Sequence, residues 1–366
     1  MEIIGIIAEY NPFHNGHIYH IDEIKKKYPD SFIILVLNGY FLERGEVSVL
    51  TKEAKIKIAL DYGVDLVMEL PFVYGSQAAD IFATEAIRIL NNLHATRIIF
   101  GSESNDIAKL KKLADMQYDP FYQEQVRNFL DDGLNYPTAL AKALNVKESF
   151  FKPNDILGIS YLKAIRLLKS NIIPETIKRT NNYHDIESND NIISASNIRN
   201  KIKNNEDIGN YLPEISKENI IAINEDLLFK LIKHQILTDN NLEQYVDVDE
   251  GIDNRLKKEI INCNSLDDFM KKIKTKRYTY NKIMRMIMHI ILGFTKEDNY
   301  RVEHNYMKVL GFNKRGKEYL HGIKIRHNFR NTLVYQYELK ASLIYQMITG
   351  VNTYKFDLES KPIVKN

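Results

Sequence analysis

The chain has 366 residues, 44% of them hydrophobic and 27% charged, with 50 Lys/Arg against 48 Asp/Glu. That composition excludes wholesale disorder, and the length suits two domains. No apolar run nears the roughly 20 residues of a membrane helix, and a lone Cys263 excludes an internal disulfide, a zinc ligand set and a Cys-x-x-Cys pair.

In chain order, Ile3 to Ala8 is an apolar run that predicts a buried strand. Met1 to Glu9 lacks the basic lead of a signal peptide, so the expected compartment is cytoplasmic. Phe32 to Leu37, Leu66 to Leu70 and Arg97 to Phe100 predict further strands, and His17 to Lys27, Thr51 to Tyr62 and Ala78 to Leu93 carry apolar residues at helical spacing. Strand alternating with helix predicts an α/β fold: a Rossmann-like doubly wound parallel sheet with right-handed crossovers. Ligands of such sheets sit beyond the carboxyl ends of the strands. That places Tyr10 to Gly16, Asn38 to Glu46 and Gly101 to Ser104 on one rim. After Asp106 the pattern turns mostly helical, punctuated by Pro120, Pro137, Pro153 and Pro174. Thr180 to Asn191 reads as a polar surface loop and Ser194 to Lys203 as a serine-capped helix start. Beyond Asn204 only helical patterns are visible. The division expected is a catalytic domain over 1–204 and an all-helical, basic domain over 205–366.

Charge is distributed unevenly. Residues 271–330 hold 16 Lys/Arg and 4 Asp/Glu, whereas the first 270 residues are net acidic. Such a block suits a polyanion. In it, Ile283, Met286, Ile287 and Ile290 read as a buried helix stripe. Lys274, Lys276, Arg277, Arg285, Lys314 and Arg315 are candidates for RNA phosphates, and Tyr278 or Tyr280 could stack on an unpaired base.

The most informative stretch is Glu9-Tyr10-Asn11-Pro12-Phe13-His14-Asn15-Gly16-His17, where the first strand hands over to the first helix. A helix N-terminus offers free N–H groups and a partial positive charge to a phosphate. His14 and His17, three apart, reach the same phosphate and can donate to charge developing there. A metal site is not expected, for no third ligand except Glu9 stands nearby. A second helix start, Ser194-Ala195-Ser196-Asn197-Ile198-Arg199, can hold phosphates through serine hydroxyls and N–H groups, with Arg199 one turn in.

The His14-Asn15-Gly16-His17 string resembles the H-x-G-H signature of the nucleotidylyltransferases and class I aminoacyl-tRNA synthetases. More narrowly, the chain is similar to the bacterial tRNA(Met) cytidine acetate ligase family. The matches run from Gly5 through His17, over Arg44-Gly45-Glu46, Asp65 to Pro71, Phe100-Gly101-Ser102-Glu103, Pro153 to Gly158, Ile177-Lys178-Arg179, Tyr183-His184-Asp185 and Ser194 to Arg199, to Lys276 to Thr279 and Leu310 to Asn313. The resemblance implies a nucleotidylyltransferase-type sheet and ATP held by Ile7, Ala8, Glu9, Tyr10, Asn11, Pro12, Phe13, His14, Asn15, Gly16, His17 and His20, with Gly101, Asn154, Lys178, Arg179, Ser194 and Ser196. His14, His17 and Arg199 would be catalytic. It further implies Mg²⁺ on the triphosphate, acetate as the group activated, and elongator tRNA(Met) as the acceptor at N4 of its wobble cytidine. Asn38 to Val47 departs from the family's turn by Glu43, which adds a negative charge at the rim. Asp155, His184 and Asp185 are the candidates for a general base. Two other classes share parts of this pattern: a small-molecule adenylyltransferase of coenzyme metabolism, and a non-catalytic RNA-binding protein with an ATP fold.

Overall fold

A computed structural model describes residues 1–145, 152–179, 191–249, 251–275, 278–323 and 329–365. Among these, seven strands form one sheet: β1 (Ile3–Ala8), β2 (Phe32–Asn38), β3 (Leu66–Leu70), β4 (Arg97–Ser102), β5 (Ile173–Lys178), β6 (Val309–Phe312) and β7 (Ile363–Val364), in the order β5-β4-β1-β2-β3-β6-β7. β1 to β5 pair in parallel. The first four lie where the apolar runs predict them. β5 was not anticipated, because Ile-Pro-Glu-Thr-Ile-Lys lacks a continuous apolar run.

The strands alternate faces with period two, and β2 shows the result. Phe32, Ile34 and Val36 pack into one core, and Ile33, Leu35 and Leu37 into the other. Helices α1 (Asn15–Lys27) and α2 (Lys52–Asp61) cover the second face, and α4 (Ala79–Asn92), which follows the single turn α3 (Phe72–Gly75), covers the first. Gly5 permits this closeness, since a Cβ there would stand 2.5 Å from Leu90. Both faces being covered explains why these strands read as unbroken apolar runs. The chain leaves β1 toward β2 on one side and later returns to β4 on the other. That reversal opens a crevice at the carboxyl ends of β1 and β4, the usual ligand position in such sheets.

Four helices, α5 (Ile107–Met116), α6 (Pro120–Asp131), α7 (Tyr136–Ala143) and α8 (Pro153–Leu167), lie between β4 and β5, and α9 (Ala195–Lys203) follows β5. The prolines mark helix starts, as at Pro120 and Pro153, where a missing N–H costs nothing. Beyond Asn204 the chain is mainly helical, with Ile283, Met286, Ile287 and Ile290 fully buried as expected. It is not helical throughout: β6 returns antiparallel to β3 and β7 lines up beside β6. These strands of four and two residues are too short to show a period within a basic, helical stretch.

Beneath this added edge lies a dry charged cluster. Lys52 Nζ contacts Glu69 (2.6 Å), Asp357 (2.7 Å) and Glu338 (3.0 Å), while Lys308 lies 3.2 Å from Glu69 and 3.3 Å from Asp357. Tyr40 donates to Asp357 and Tyr306 to Glu69, each at 2.6 Å, and the Phe72 N–H donates to Glu338. All five charged residues are buried. Buried charge is tolerable only when paired in this way, and here the pairs tie α2 and β3 to the C-terminal helices.

Candidate active site

A cleft of about 260 Å³ opens at the carboxyl ends of β1 and β4, lined from Ile7 to Asn11, by His14, Gly16, His17 and His20, and by Gly101, Asn154, Lys178, Arg179, Ser194, Ser196 and Arg199. These positions, up to 192 residues apart, are the ones the motifs single out. Pro12, Phe13 and Asn15 are not in its wall. Phe13 is core and stacks on the His17 ring at 5.4 Å, and Asn15 Nδ2 donates to the carbonyls of Asn191 and Asn210.

The two histidines start α1 by capping it reciprocally. His14 is the N-cap, and its Nδ1 accepts from the Gly16 N–H at 2.9 Å. His17 Nδ1 in turn accepts from the His14 N–H at 3.1 Å. This is the geometry of a capping box, with imidazoles in place of the usual hydroxyl and carboxamide. Gly16 is needed here because a Cβ would stand 2.6 Å from His14 Cε1. An Nδ1 that accepts carries no proton, so each neutral ring bears its hydrogen on Nε2. Burial holds His14 down to about 3, helped by Arg179 and Arg199, and burial holds His17 well below the usual imidazole range, helped by His14, His20 and Arg179. Both rings are therefore neutral Nε2–H donors throughout the physiological range. Capping and donation are one arrangement: the backbone fixes one nitrogen and thereby aims the other.

α9 begins similarly, with Ser194 Oγ accepting from the Asn197 N–H at 3.2 Å. Arg199 grips Glu46 through Nη2 (2.6 and 2.8 Å), donates from Nη1 to the Asn11 carbonyl (2.7 Å) and from Nη2 to Ser196 Oγ (3.3 Å). It thus fastens the Arg44-Gly45-Glu46 turn to both phosphate-type helix starts. Gly45 has φ +72, and a Cβ there would stand 2.4 Å from the Arg285 nitrogen, so this turn admits no side chain. Lys178 is exposed at the mouth, and the Arg179 side chain passes 3.4 Å from where a Gly101 Cβ would be. Asn154 opens α8, where Glu103 caps the N–H groups of Asn154 and Asp155 and takes a 2.6 Å bond from Asn154 Nδ2.

Asp155 does not stand ready as a base. It is buried and accepts from Ser102 Oγ and the Ser104 N–H, fixing the loop after β4. His184 and Asp185 lie outside the described residues, as do Lys276 and Arg277. Glu43, the departure from the family turn, does not present a bare charge: Arg285 lies 3.7 Å and Arg44 3.9 Å from its carboxylate. Glu43, Arg44 and Glu46 come from the stretch expected on the rim, whereas sequence reasoning missed Tyr19, Phe82, Phe100, Leu157, Tyr161, Ile177, Ile192, Ile193 and Ala195 as cleft residues. Only the 3-4 spacing of Asn154, Leu157 and Tyr161 along one face of α8 could have signalled part of this set.

The basic residues do not share one face. Lys274 is exposed beside a groove of about 640 Å³ formed by Asn135, Lys271, Thr275, Thr279, Tyr280 and Asn281. Tyr280 is 41% exposed, whereas Tyr278 is buried and donates to the Asp249 carbonyl. Arg285 is mostly covered and lies between Glu43 and Asp247. Arg315 donates to the Ser31 carbonyl (2.9 Å) and pairs with Asp65 (3.3 Å) at the amino ends of β2 and β3. With Lys314 beside it, it sits about 17 Å, one strand length, from the cleft.

A family model described as "HIGH Nucleotidyl Transferase" matches residues 1–360. The chain is 36% identical to the tRNA(Met) cytidine acetate ligase of Geobacillus sp. (strain WCH70) across the whole of both chains, and 37% identical to that of Fusobacterium nucleatum over 89% of this chain and 86% of the relative. The chain belongs to the tRNA(Met) cytidine acetate ligase family. Its fold is that of TmcAL from Thermotoga maritima: the apo crystal structure superposes with a TM-score of 0.89 at 28% identity over 100% of this chain and 99% of that one. A second crystal form of that protein, bound with alpha-thio ATP, superposes at 0.86 with 27% identity over the whole of both chains. Membership agrees with the resemblance drawn from the His14 to His17 string, with the doubly wound sheet and with an ATP-dependent ligase. No described helix is long and apolar enough to cross a membrane.

Proposed function

We propose that this protein activates acetate with ATP, forming acetyl-adenylate and pyrophosphate, and then transfers the acetyl group to N4 of the wobble cytidine of elongator tRNA(Met), giving N4-acetylcytidine. The observation that carries the first half is the pair of neutral, backbone-fixed imidazoles at the start of α1. Their Nε2–H groups are donors aimed where negative charge develops as acetate attacks the α-phosphorus and pyrophosphate departs. Donors that need no reorganisation are the largest single contribution available to such a step. The N-termini of α1 and α9, Lys178 and Arg179 supply the remaining positive potential. Arg199 acts chiefly by holding the two helix starts and Glu46 in register.

Mg²⁺ would travel with the triphosphate and neutralise part of its charge. The side chains of this chain that would face the phosphates are the nitrogen donors His14, His17, Lys178 and Arg179. For the acceptor, the relatives' printed name and the groove beside Lys274 and Tyr280 support RNA. An anticodon base is unpaired or readily extruded, which an N4 amine requires to reach a cleft. A coenzyme adenylyltransferase would use the same cleft but leaves the basic groove without a task, and a mere RNA binder has no need of the fixed imidazoles. Pyrophosphate–ATP exchange in the absence of RNA tests the first half. It should depend on acetate and vanish in His17→Ala while tRNA binding persists. Exchange driven by some other acid but not by acetate would sink the reading.

A further inference from the structure

The cleft is sorted by charge. One side holds donors: both imidazole Nε2–H groups, the two helix starts, Lys178 and Arg179. The end of β1, the loop after β2 and α8 also bring acceptors to the wall, with Arg44 among them. Glu9 and Glu43 line it, and Glu46 is already saturated by the Arg199 guanidinium. Glu9 Oε1 accepts from the Glu43 N–H (2.7 Å) and from Asn38 Nδ2 (3.2 Å), which fixes the carboxylate and leaves Oε2 without a hydrogen bond among the described residues. A second, independent observation lies opposite. Tyr161 is 2% exposed, and its hydroxyl makes no hydrogen bond among the described residues although it is not sealed off in the core. The two charges acting on it are Glu9 and Glu43, and Phe100 meets its ring edge-on at 5.4 Å. Tyr161 lines the cleft, so its unpartnered hydroxyl can complete its hydrogen bonding with a ligand.

The Glu9 carboxylate disfavours a triphosphate, which belongs to the donor side, and it disfavours acetate for the same reason. What fits there is flat, uncharged and rich in N–H. We infer that the acidic-aromatic end, formed by Glu9, Glu43, Tyr161, Phe82 and Phe100, is the seat of the acceptor base, and that Glu9 takes the proton from its exocyclic amine. The inference rests on the acetyl-transfer reading above. The amine nitrogen attacks the carbonyl carbon of acetyl-adenylate, the bond from that carbon to the AMP oxygen breaks, and AMP leaves with the electron pair. The surplus amine proton passes to Glu9 Oε2, and from there to solvent. A carboxylate is a natural acceptor for a cytosine amine, and the Tyr161 hydroxyl can donate to the ring N3 or O2.

The test compares two rates in the full-length protein: acetate-dependent pyrophosphate–ATP exchange, and single-turnover transfer from acetate to tRNA cytidine. Glu9→Gln should slow transfer about 100-fold, in the range of general-base catalysis, and at least about ten-fold more than it slows exchange. Tyr161→Phe should raise KM for tRNA and slow transfer several-fold, again more than exchange, with an unchanged melting temperature. Equal loss of both rates, or a raised KM for ATP with an unchanged KM for tRNA, would assign this end to the nucleotide and overturn the inference. A wild-type protein that exchanges but never acetylates tRNA would instead sink the acceptor reading itself, a distinguishable result.

Discussion

Two places in this molecule concentrate charge, and they are built on opposite terms. Under the β3–β6 edge, Lys52 and Lys308 face Glu69, Glu338 and Asp357 in a dry cluster where the ammonium groups and carboxylates contact one another and the tyrosines. In the cleft, His14, His17 and Glu9 are each fixed through one atom and left open at another. Paired charge binds the C-terminal elements to the sheet, and half-paired polarity is what a substrate can complete. The contrast explains how buried and half-buried polar groups serve architecture in one place and chemistry in the other.

The sharpest way to break this comparison is to keep the fixing contact and delete the open one. His14→Asn with His17→Gln retains an N-cap acceptor and a carboxamide at the third helical position. Turnover should fall by about 10³-fold or more, since one aimed donor is worth about 10² to 10³, while the melting temperature stays within about 2 °C. The converse variant is Lys52→Met, which strands the Glu338 carboxylate and leaves Glu69 and Asp357 to Lys308 alone. Denaturant titration should show a loss of about 3–5 kcal/mol, with exchange activity per folded molecule preserved.

Acid sharpens the comparison further. His14 is held down to about 3 and His20 to about 4, chiefly by burial, and His17 also lies well below its usual range. The unfolded chain, with imidazoles near 6.5, binds protons that the folded chain refuses. Stability from these groups is therefore complete above about 6.5 and is lost as pH falls toward 3 to 4. Melting temperatures from pH 7 to 4 should decline, and the His14→Asn, His17→Gln protein should decline less. Exchange should show no imidazole limb between pH 5 and 8. The smallest effect concerns RNA: Lys274→Ala should raise KM for tRNA a few-fold and lower the salt slope by about one, whereas Lys314→Ala should change neither.

Much of this was legible in the sequence, for physical reasons. A sheet covered on both faces writes continuous apolar runs, so β1 to β4 and their crossovers could be read directly. The histidines could be read because they stand at a strand-to-helix junction. Their capping of α1 could not, since imidazole is not a usual capping side chain. β6 and β7 were hidden by their length. The pairing of Arg199 with Glu46, 153 positions away, and the meeting of Glu9 with Tyr161 depend on tertiary closure that no local pattern records. In the basic block, likewise, sequence shows the charge of Arg285 and Arg315 but not the Glu43, Asp247 and Asp65 carboxylates beside them.

The most direct test of the central claim is incubation of the purified protein with labelled acetate, ATP, Mg²⁺ and total bacterial tRNA, omitting each in turn, followed by nucleoside analysis. Label should appear in N4-acetylcytidine only when acetate, ATP and tRNA are all present, and should be absent with the His14→Asn, His17→Gln protein. Label reaching N4-acetylcytidine without ATP, or undiminished in that variant, would contradict the account.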